Sequence, residues 1–136
     1  PIPSRGLGDV YKRQNIHSCV NSSAQFAGIA AFTGDQSPVK AMVSAFDERR
    51  TVIVNELNGI PGFSCIQPGG AFYAFPNITQ TGLRSDELQK KILEEAGVAV
   101  ISGTSFGEHG EGYLRFSYAN STENILKAVD LIKGCL

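Results

Sequence analysis

The sequence has no surplus of one charge. Its 136 residues carry 12 basic side chains against 13 acidic ones, a formal net charge of −1. Nothing there would grip a phosphate backbone, so a nucleic-acid partner is not expected. It also has no long apolar run. The longest, Phe26 to Phe32, is 7 residues and includes a glycine, whereas a membrane-spanning helix needs about 20. Cysteine is scarce: Cys19, Cys65 and Cys135 are far apart and form no Cys-x-x-Cys pair. A disulfide framework and a structural zinc site are therefore not expected, and a reducing, cytoplasmic compartment fits best. His17 and Cys19 lie two apart, which is too little for a metal site. A P-loop is missing. Gly6-Leu7-Gly8 is half of a dinucleotide fingerprint, but Tyr11 stands where the third glycine belongs and no strand precedes it. Asn-x-Ser/Thr triplets begin at Asn21, Asn77 and Asn120. With no signal-peptide pattern they read as chance matches.

What is present describes one ordinary domain. Hydrophobic residues make up 42% and charged residues 18% of a 14.5 kDa chain, enough to bury a core. The composition breaks near Asn15. Residues 1–14 carry Pro, Gly and Arg with no helical or strand period and a charge of +2, from Arg5, Lys12 and Arg13 against Asp9. The stretch Arg5-Gly6-Leu7-Gly8-Asp9-Val10-Tyr11-Lys12-Arg13-Gln14 resembles translated sequencing-adapter DNA. Residues 1–14 are thus expected to be a non-native leader, and residues 15–136 the domain, as the tail of a longer protein.

Ser22 to Phe32 is small and apolar and predicts a closely packed helix ending near Gly34. Ser37-Pro38 predicts a helix start, with Ser as N-cap and Pro at the first helical position. Val39, Met42, Val43, Phe46, Ile53 and Leu57 follow at helical spacing, which predicts one buried face over about residues 38–58. Asn58-Gly59 and Pro61-Gly62 end it. At roughly 30 Å it has the reach of an interdomain helix. Strands are predicted at Phe63–Ile66, Ala71–Phe75, Val98–Ile101 and Tyr113–Tyr118, and a helix over Ser85–Ala96 with Gly97 as its C-cap. Glu87, Lys90, Lys91, Glu94 and Glu95 make a solvated face of i,i+4 pairs. Asn120 with Glu123 suits a capping box, and Ile125, Val129 and Ile132 form the inner stripe of the last helix. The fold class is α/β in the broad sense, an α+β small domain: a small mixed or antiparallel sheet packed with helices, plus the long helix.

Chemistry concentrates in three places. In Tyr113-Leu114-Arg115-Phe116-Ser117-Tyr118, alternation puts Leu114, Phe116 and Tyr118 on one face and Tyr113, Arg115 and Ser117 on the other. Arg115 then needs an anionic partner. An internal Asp or Glu is the commoner answer on spacing alone; a substrate carboxylate held by two parallel hydrogen bonds is the sharper one. Ser102-Gly103-Thr104-Ser105-Phe106-Gly107 is either a flexible connection or a backbone that approaches a ligand closely, and Gly69-Gly70 has the same two readings. His109, between Glu108 and Gly110, reads as an exposed loop histidine rather than a general base.

Five segments in order resemble the C-terminal small domain of class I aminotransferases, the pyridoxal-phosphate enzymes of fold type I, and best their aspartate-aminotransferase-like branch. They are Asn21-Ser22-Ser23-Ala24-Gln25; Arg49-Arg50; Pro68-Gly69-Gly70-Ala71-Phe72-Tyr73; Gly97 through Gly107; and Gly112-Tyr113-Leu114-Arg115-Phe116-Ser117-Tyr118-Ala119. Ser121-Thr122-Glu123-Asn124-Ile125 also fits, and Ser102 stands where many relatives have proline. The resemblance covers residues 15–136. It implies amino-group transfer from an amino acid to a 2-oxo acid, pyridoxal 5′-phosphate as cofactor, a homodimer in the intact enzyme, and Arg115 as the clamp on the substrate α-carboxylate. It also implies a lysine that forms a Schiff base with the cofactor. Lys12, Lys40, Lys90, Lys91, Lys127 and Lys133 lack the family's motif for it. No catalytic residue is therefore assigned in this chain, its cofactor-binding residues are unassigned, and the chain alone is expected not to transaminate. Two other readings stay open: the similar small domain of a pyridoxal-phosphate β-lyase, and a stand-alone α+β ligand-binding module. A fragment would leave Ala24–Phe32 and the apolar side of the long helix without a partner.

Overall fold

The computed structural model describes Val10, Lys12, Asn15, Ile16 and residues 19–136. The expected leader lies almost wholly outside the described residues, as does His17. The chain divides into two compact units, residues 1–39 and 40–136.

Helix α1 (Ser22–Thr33) opens on Asn21, whose side chain accepts the Ser23 N–H at 2.8 Å. The helix forms as predicted, but the close packing expected of it is not seen among the described residues of its own unit. No α1 residue is buried; Phe26 and Ile29 are exposed, and Phe32 is 90% exposed. The small side chains encode a helix that can approach a neighbour closely without supplying that neighbour.

Helix α2 (Ser37–Asn58) follows. Its cap lies two residues before the expected Ser37. The Asp35 carboxylate accepts the Ser37 N–H at 2.9 Å and the Ser37 hydroxyl, an anion at the positive end of the helix. These bonds hold the Asp35 carboxyl below its ordinary range. The expected apolar face divides in two. Ile53, Val54 and Leu57 are buried and Phe46 packs against the core, whereas Val39, Met42 and Val43 are exposed.

A three-stranded antiparallel sheet stands in the second unit, in the order β1 (Tyr73–Ala74), β3 (Leu114–Ser117), β2 (Ile101–Ser102). The strand expected at Phe63–Ile66 reduces to a single bridge between Ser64 and Asn77. Asn58 is the reason. Its side chain accepts the Cys65 N–H at 2.8 Å and donates to the Cys65 carbonyl at 3.0 Å, withdrawing both groups from a ladder. Strand β1 is shorter than expected because Ala71 sits in the left-handed region at φ 60° and Pro76 has no N–H to offer. Strand β2 begins only at Ile101, since the Val98 N–H is still bonded to the Ile92 carbonyl of the preceding helix at 3.4 Å.

Helix α3 (Ser85–Lys91) runs on as a π turn (Ile92–Ala96) to Gly97, which takes the left-handed cap at φ 66°. Lys90–Glu94 at 3.8 Å and Lys91–Glu95 at 2.7 Å are the expected surface pairs. Helix α4 (Thr122–Cys135) is capped by Ser121, which accepts the Asn124 N–H at 3.2 Å; this is one residue later than the expected Asn120–Glu123 box. Its stripe of Ile125, Val129 and Ile132 is buried as predicted. With Leu57, Ile60, Leu88, Ile92, Leu114 and Phe116 these residues form one core. The three Asn-x-Ser/Thr asparagines all have local structural work. Asn77 accepts the Thr79 N–H at 3.1 Å and hydroxyl at 2.6 Å, Asn120 accepts the Ser121 N–H at 2.8 Å, and Asn21 caps α1.

Candidate functional site

Central strand β3 alternates as read: Leu114, Phe116 and Tyr118 are buried, Tyr113 and Arg115 half-buried, and Ser117 exposed. Register decides the neighbours of Arg115. Ile101 lies directly across on β2, and Tyr73 on β1 pairs with Ser117. Tyr73 is therefore the diagonal neighbour of Arg115 on the same face. The turn after β2 brings in Phe106. The Arg115 guanidinium carbon lies 4.3 Å from the centre of the Tyr73 ring and 4.2 Å from that of Phe106. Among the described residues the Arg115 side chain makes no ion pair and no hydrogen bond. The internal Asp or Glu that spacing favours is not beside it.

The Phe106 turn is not a loose connection. Residues Gly103–Phe106 and Glu108–Gly110 form two 3-10 turns. The Gly103 N–H donates to the Tyr113 carbonyl at 2.9 Å. Gly103 and Gly110 meet backbone on backbone: a Cβ on Gly103 would stand 2.1 Å from the Gly110 oxygen, and one on Gly110 1.9 Å from the Gly103 oxygen. The Ser102 N–H, which proline would lack, donates to the Gln89 side chain, and the Ser102 hydroxyl bonds that of Thr104 at 2.7 Å. Phe75 backs the turn, edge-on to Phe106 at 6.2 Å and stacked on Tyr113 at 5.5 Å. On the other strand Phe72 contacts Tyr73 at 4.5 Å. Gly69 and Gly70 both have open space around them. The left-handed residue is Ala71, whose carbonyl accepts the Tyr118 hydroxyl at 2.9 Å. Arg50 ties this loop to α2 by donating to the Pro68 carbonyl at 3.1 Å and pairing with Asp47.

Sequence reasoning missed a second cluster, which fixes where β3 begins. Ser85 is fully buried, and its hydroxyl accepts the Gly112 N–H at 2.8 Å and the Tyr113 N–H at 3.2 Å. The Glu111 carboxylate accepts the Ser85 N–H at 2.9 Å and hydroxyl at 3.2 Å. The Ser85 N–H foremost holds the Glu111 carboxyl below its ordinary range. The only sequence signal was a serine opening a helix ahead of Asp86-Glu87. His109 is in solvent, 95% exposed and 3.4 Å from Glu108. Lys133 pairs with Glu56 at 3.1 Å, while Lys40 and Lys127 are exposed. A half-open cavity of ≈ 440 Å³, with Val98, Phe116, Ile125 and Lys127 in its walls, does not include Arg115, Tyr73 or Phe106.

Chemically, the arrangement is an uncompensated, delocalised cation resting on aromatic rings. A guanidinium carries its N–H donors around its edge, where they match a carboxylate two at a time. It is weakly hydrated enough to be held half-buried this way.

Comparisons with known proteins give matches over most of the chain. A family model for aminotransferase class I and II matches residues 9–132. The aspartate aminotransferase of Pyrococcus horikoshii is 44% identical over 119 residues, which is 86% of this chain and 30% of that protein. The aspartate aminotransferase of Geobacillus stearothermophilus is 44% identical over 123 residues, 85% of this chain and 31% of its own length. Among solved structures, an aromatic aminotransferase from Pyrococcus horikoshii superposes with a TM-score of 0.85 at 35% identity, over 92% of this chain and 34% of that one. The chain thus spans about a third of the length of the relatives it matches.

Proposed function

The chain belongs to the aminotransferase class I and II family, and from that premise we propose that it serves amino-group transfer from an amino acid to a 2-oxo acid, with Arg115 holding the substrate α-carboxylate. One observation carries the assignment: Arg115 lies over two aromatic rings with no acidic partner among the described residues. Orientation is a large part of chemistry at an amino acid Cα, and a two-point clamp on the carboxylate fixes it. Pyridoxal phosphate, when bound, supplies the electron sink for that chemistry. The described residues do not fit it. Lys90, Lys91 and Lys133 are engaged with glutamates, and Lys40 and Lys127 lie exposed on helices. This chain supplies the carboxylate end of the site and does not transaminate alone. The bare apolar residues of α1 and of the first half of α2 support a place within a larger protein rather than a stand-alone module. That protein is a homodimer by family. The three free cysteines accord with a cytoplasmic setting, and among the described residues no helix is long and apolar enough to cross a membrane.

Grafting residues 15–136 in place of the matching third of the Geobacillus stearothermophilus enzyme tests the reading. The graft should transfer the amino group of L-aspartate. Arg115→Gln should lower kcat/KM by about 10²–10⁴-fold, the loss of two hydrogen bonds to a charged group. Arg115→Lys should fall between, keeping charge without the fork. Undiminished kcat/KM in Arg115→Gln refutes the assignment. Release of ammonia and pyruvate from cysteine-like donors would place the domain with the β-lyases instead. The ungrafted chain with pyridoxal phosphate and an amino donor should form no 2-oxo acid.

A further inference from the structure

We propose that Tyr73 and Phe106 are positioning residues, a two-ring clamp that occupies the faces of the Arg115 guanidinium and leaves only its hydrogen-bonding edge open to an incoming carboxylate. The inference rests on the reading of Arg115 given above and extends it to two residues that bear no charge. Both rings lie well inside the roughly 6 Å reach of cation–π attraction, at 4.3 and 4.2 Å. They come from different elements, β1 and the turn after β2, so neither is an accident of the other. Each has its own support: Phe72 behind Tyr73, and Phe75 with the Gly103–Gly110 contact behind Phe106. Phe106 is 49% exposed, so its ring contributes little to the core. An exposed aromatic ring over an unpaired cation is better explained by what it does to the cation. An arginine free to rotate would lose conformational entropy on gripping a ligand; one already held between rings loses less.

The chain labelled with ¹⁵N-arginine tests this directly, the Arg115 Nε–Hε cross-peak being the one absent from Arg115→Lys. Ring currents should place that proton upfield of the other arginines. Phe106→Leu and Tyr73→Leu should each return it toward them, with far-UV circular dichroism unchanged. Titration with sodium benzoate, against benzamide as the uncharged control, should move the same cross-peak. The leucine variants should bind benzoate roughly two- to twelvefold more weakly, the scale of fixing one flexible side chain. Phe106→Tyr and Tyr73→Phe should restore both shift and affinity, which a loss of general packing would not allow. An ordinary Arg115 shift alongside normal benzoate binding overturns the clamp and leaves the carboxylate reading standing. Leucine variants that bind benzoate as tightly as the parent chain also overturn the clamp. An upfield cross-peak that benzoate leaves unmoved overturns the carboxylate reading, and the positioning role with it.

Discussion

Gly103→Ala asks whether the site depends on two backbones touching. The new Cβ would stand 2.1 Å from the Gly110 oxygen, 2.9 Å from the Tyr113 oxygen and 3.0 Å from the Gly110 carbonyl carbon. Non-bonded carbon atoms prefer about 3.5–4.0 Å, so the two turns must part by on the order of 1 Å. Every obstructing atom is backbone, so no side chain can swing aside. Gly103 does not have left-handed φ, so the cost is steric alone. Overpacking of this kind costs about 1–3 kcal/mol. Separation would also lengthen the 2.9 Å bond from Gly103 to Tyr113, worth about 1 kcal/mol more. A loss of about 2–4 kcal/mol follows, a fall in Tm of roughly 10–30 °C for a unit of this size. Urea unfolding followed by circular dichroism reads the stability, and the Arg115 cross-peak reads whether Phe106 has moved. Gly69→Ala is the control: nothing lies within 4 Å of its Cβ, so it should stay within about 0.5 kcal/mol of the parent chain. The reasoning fails if Gly103→Ala matches that control in stability and keeps the upfield Arg115 proton.

Acid sensitivity should trace to Glu111. Its carboxyl is held below its ordinary value of 4.5, first by the Ser85 N–H. A depressed folded-state value means the stabilisation is in place above that ordinary value and is lost as pH falls through the folded one. Denaturation midpoints measured downward from pH 6 should therefore decline less steeply in Glu111→Gln than in the parent chain; parallel curves would rule Glu111 out. Ala71→Gly should be neutral or stabilising by up to about 1 kcal/mol, because relief of the left-handed strain at φ 60° offsets glycine's greater unfolded-state freedom. A clear loss of stability in urea unfolding would show that Ala71 carries no such strain.

Much of the fold was legible because periodicity reports directly on faces. Leu114, Phe116 and Tyr118 alternate, and Ile125, Val129 and Ile132 recur at helical spacing; all six are buried. Periodicity does not report on what covers a face. Val39, Met42 and Val43 share the period of Ile53 and Leu57 yet stand exposed. Where tertiary bonds compete for the backbone, local pattern misleads. Nothing in Phe63–Ile66 reveals that Asn58 will take both polar groups of Cys65, and nothing in Gly69-Gly70-Ala71 reveals that the alanine will be the left-handed residue.

The site was legible at one residue and illegible around it, for the same kind of reason. An arginine in a strand reads first as half of a buried ion pair and second as a ligand for an anion, because both need the same alternation. Register bears on the first. Once β1 pairs Tyr73 with Ser117 and β2 pairs Ile101 with Arg115, the four residues that flank β3 in the sheet are Tyr73, Ala74, Ile101 and Ser102, none of them acidic. The internal partner is thereby removed at the level of pairing, before any side chain is placed. The turn that adds Phe106 closes the remaining side with another ring. Among the described residues the cation's lack of an internal counter-ion thus follows from how three short strands align, and that alignment leaves its edge open to the carboxylate we propose.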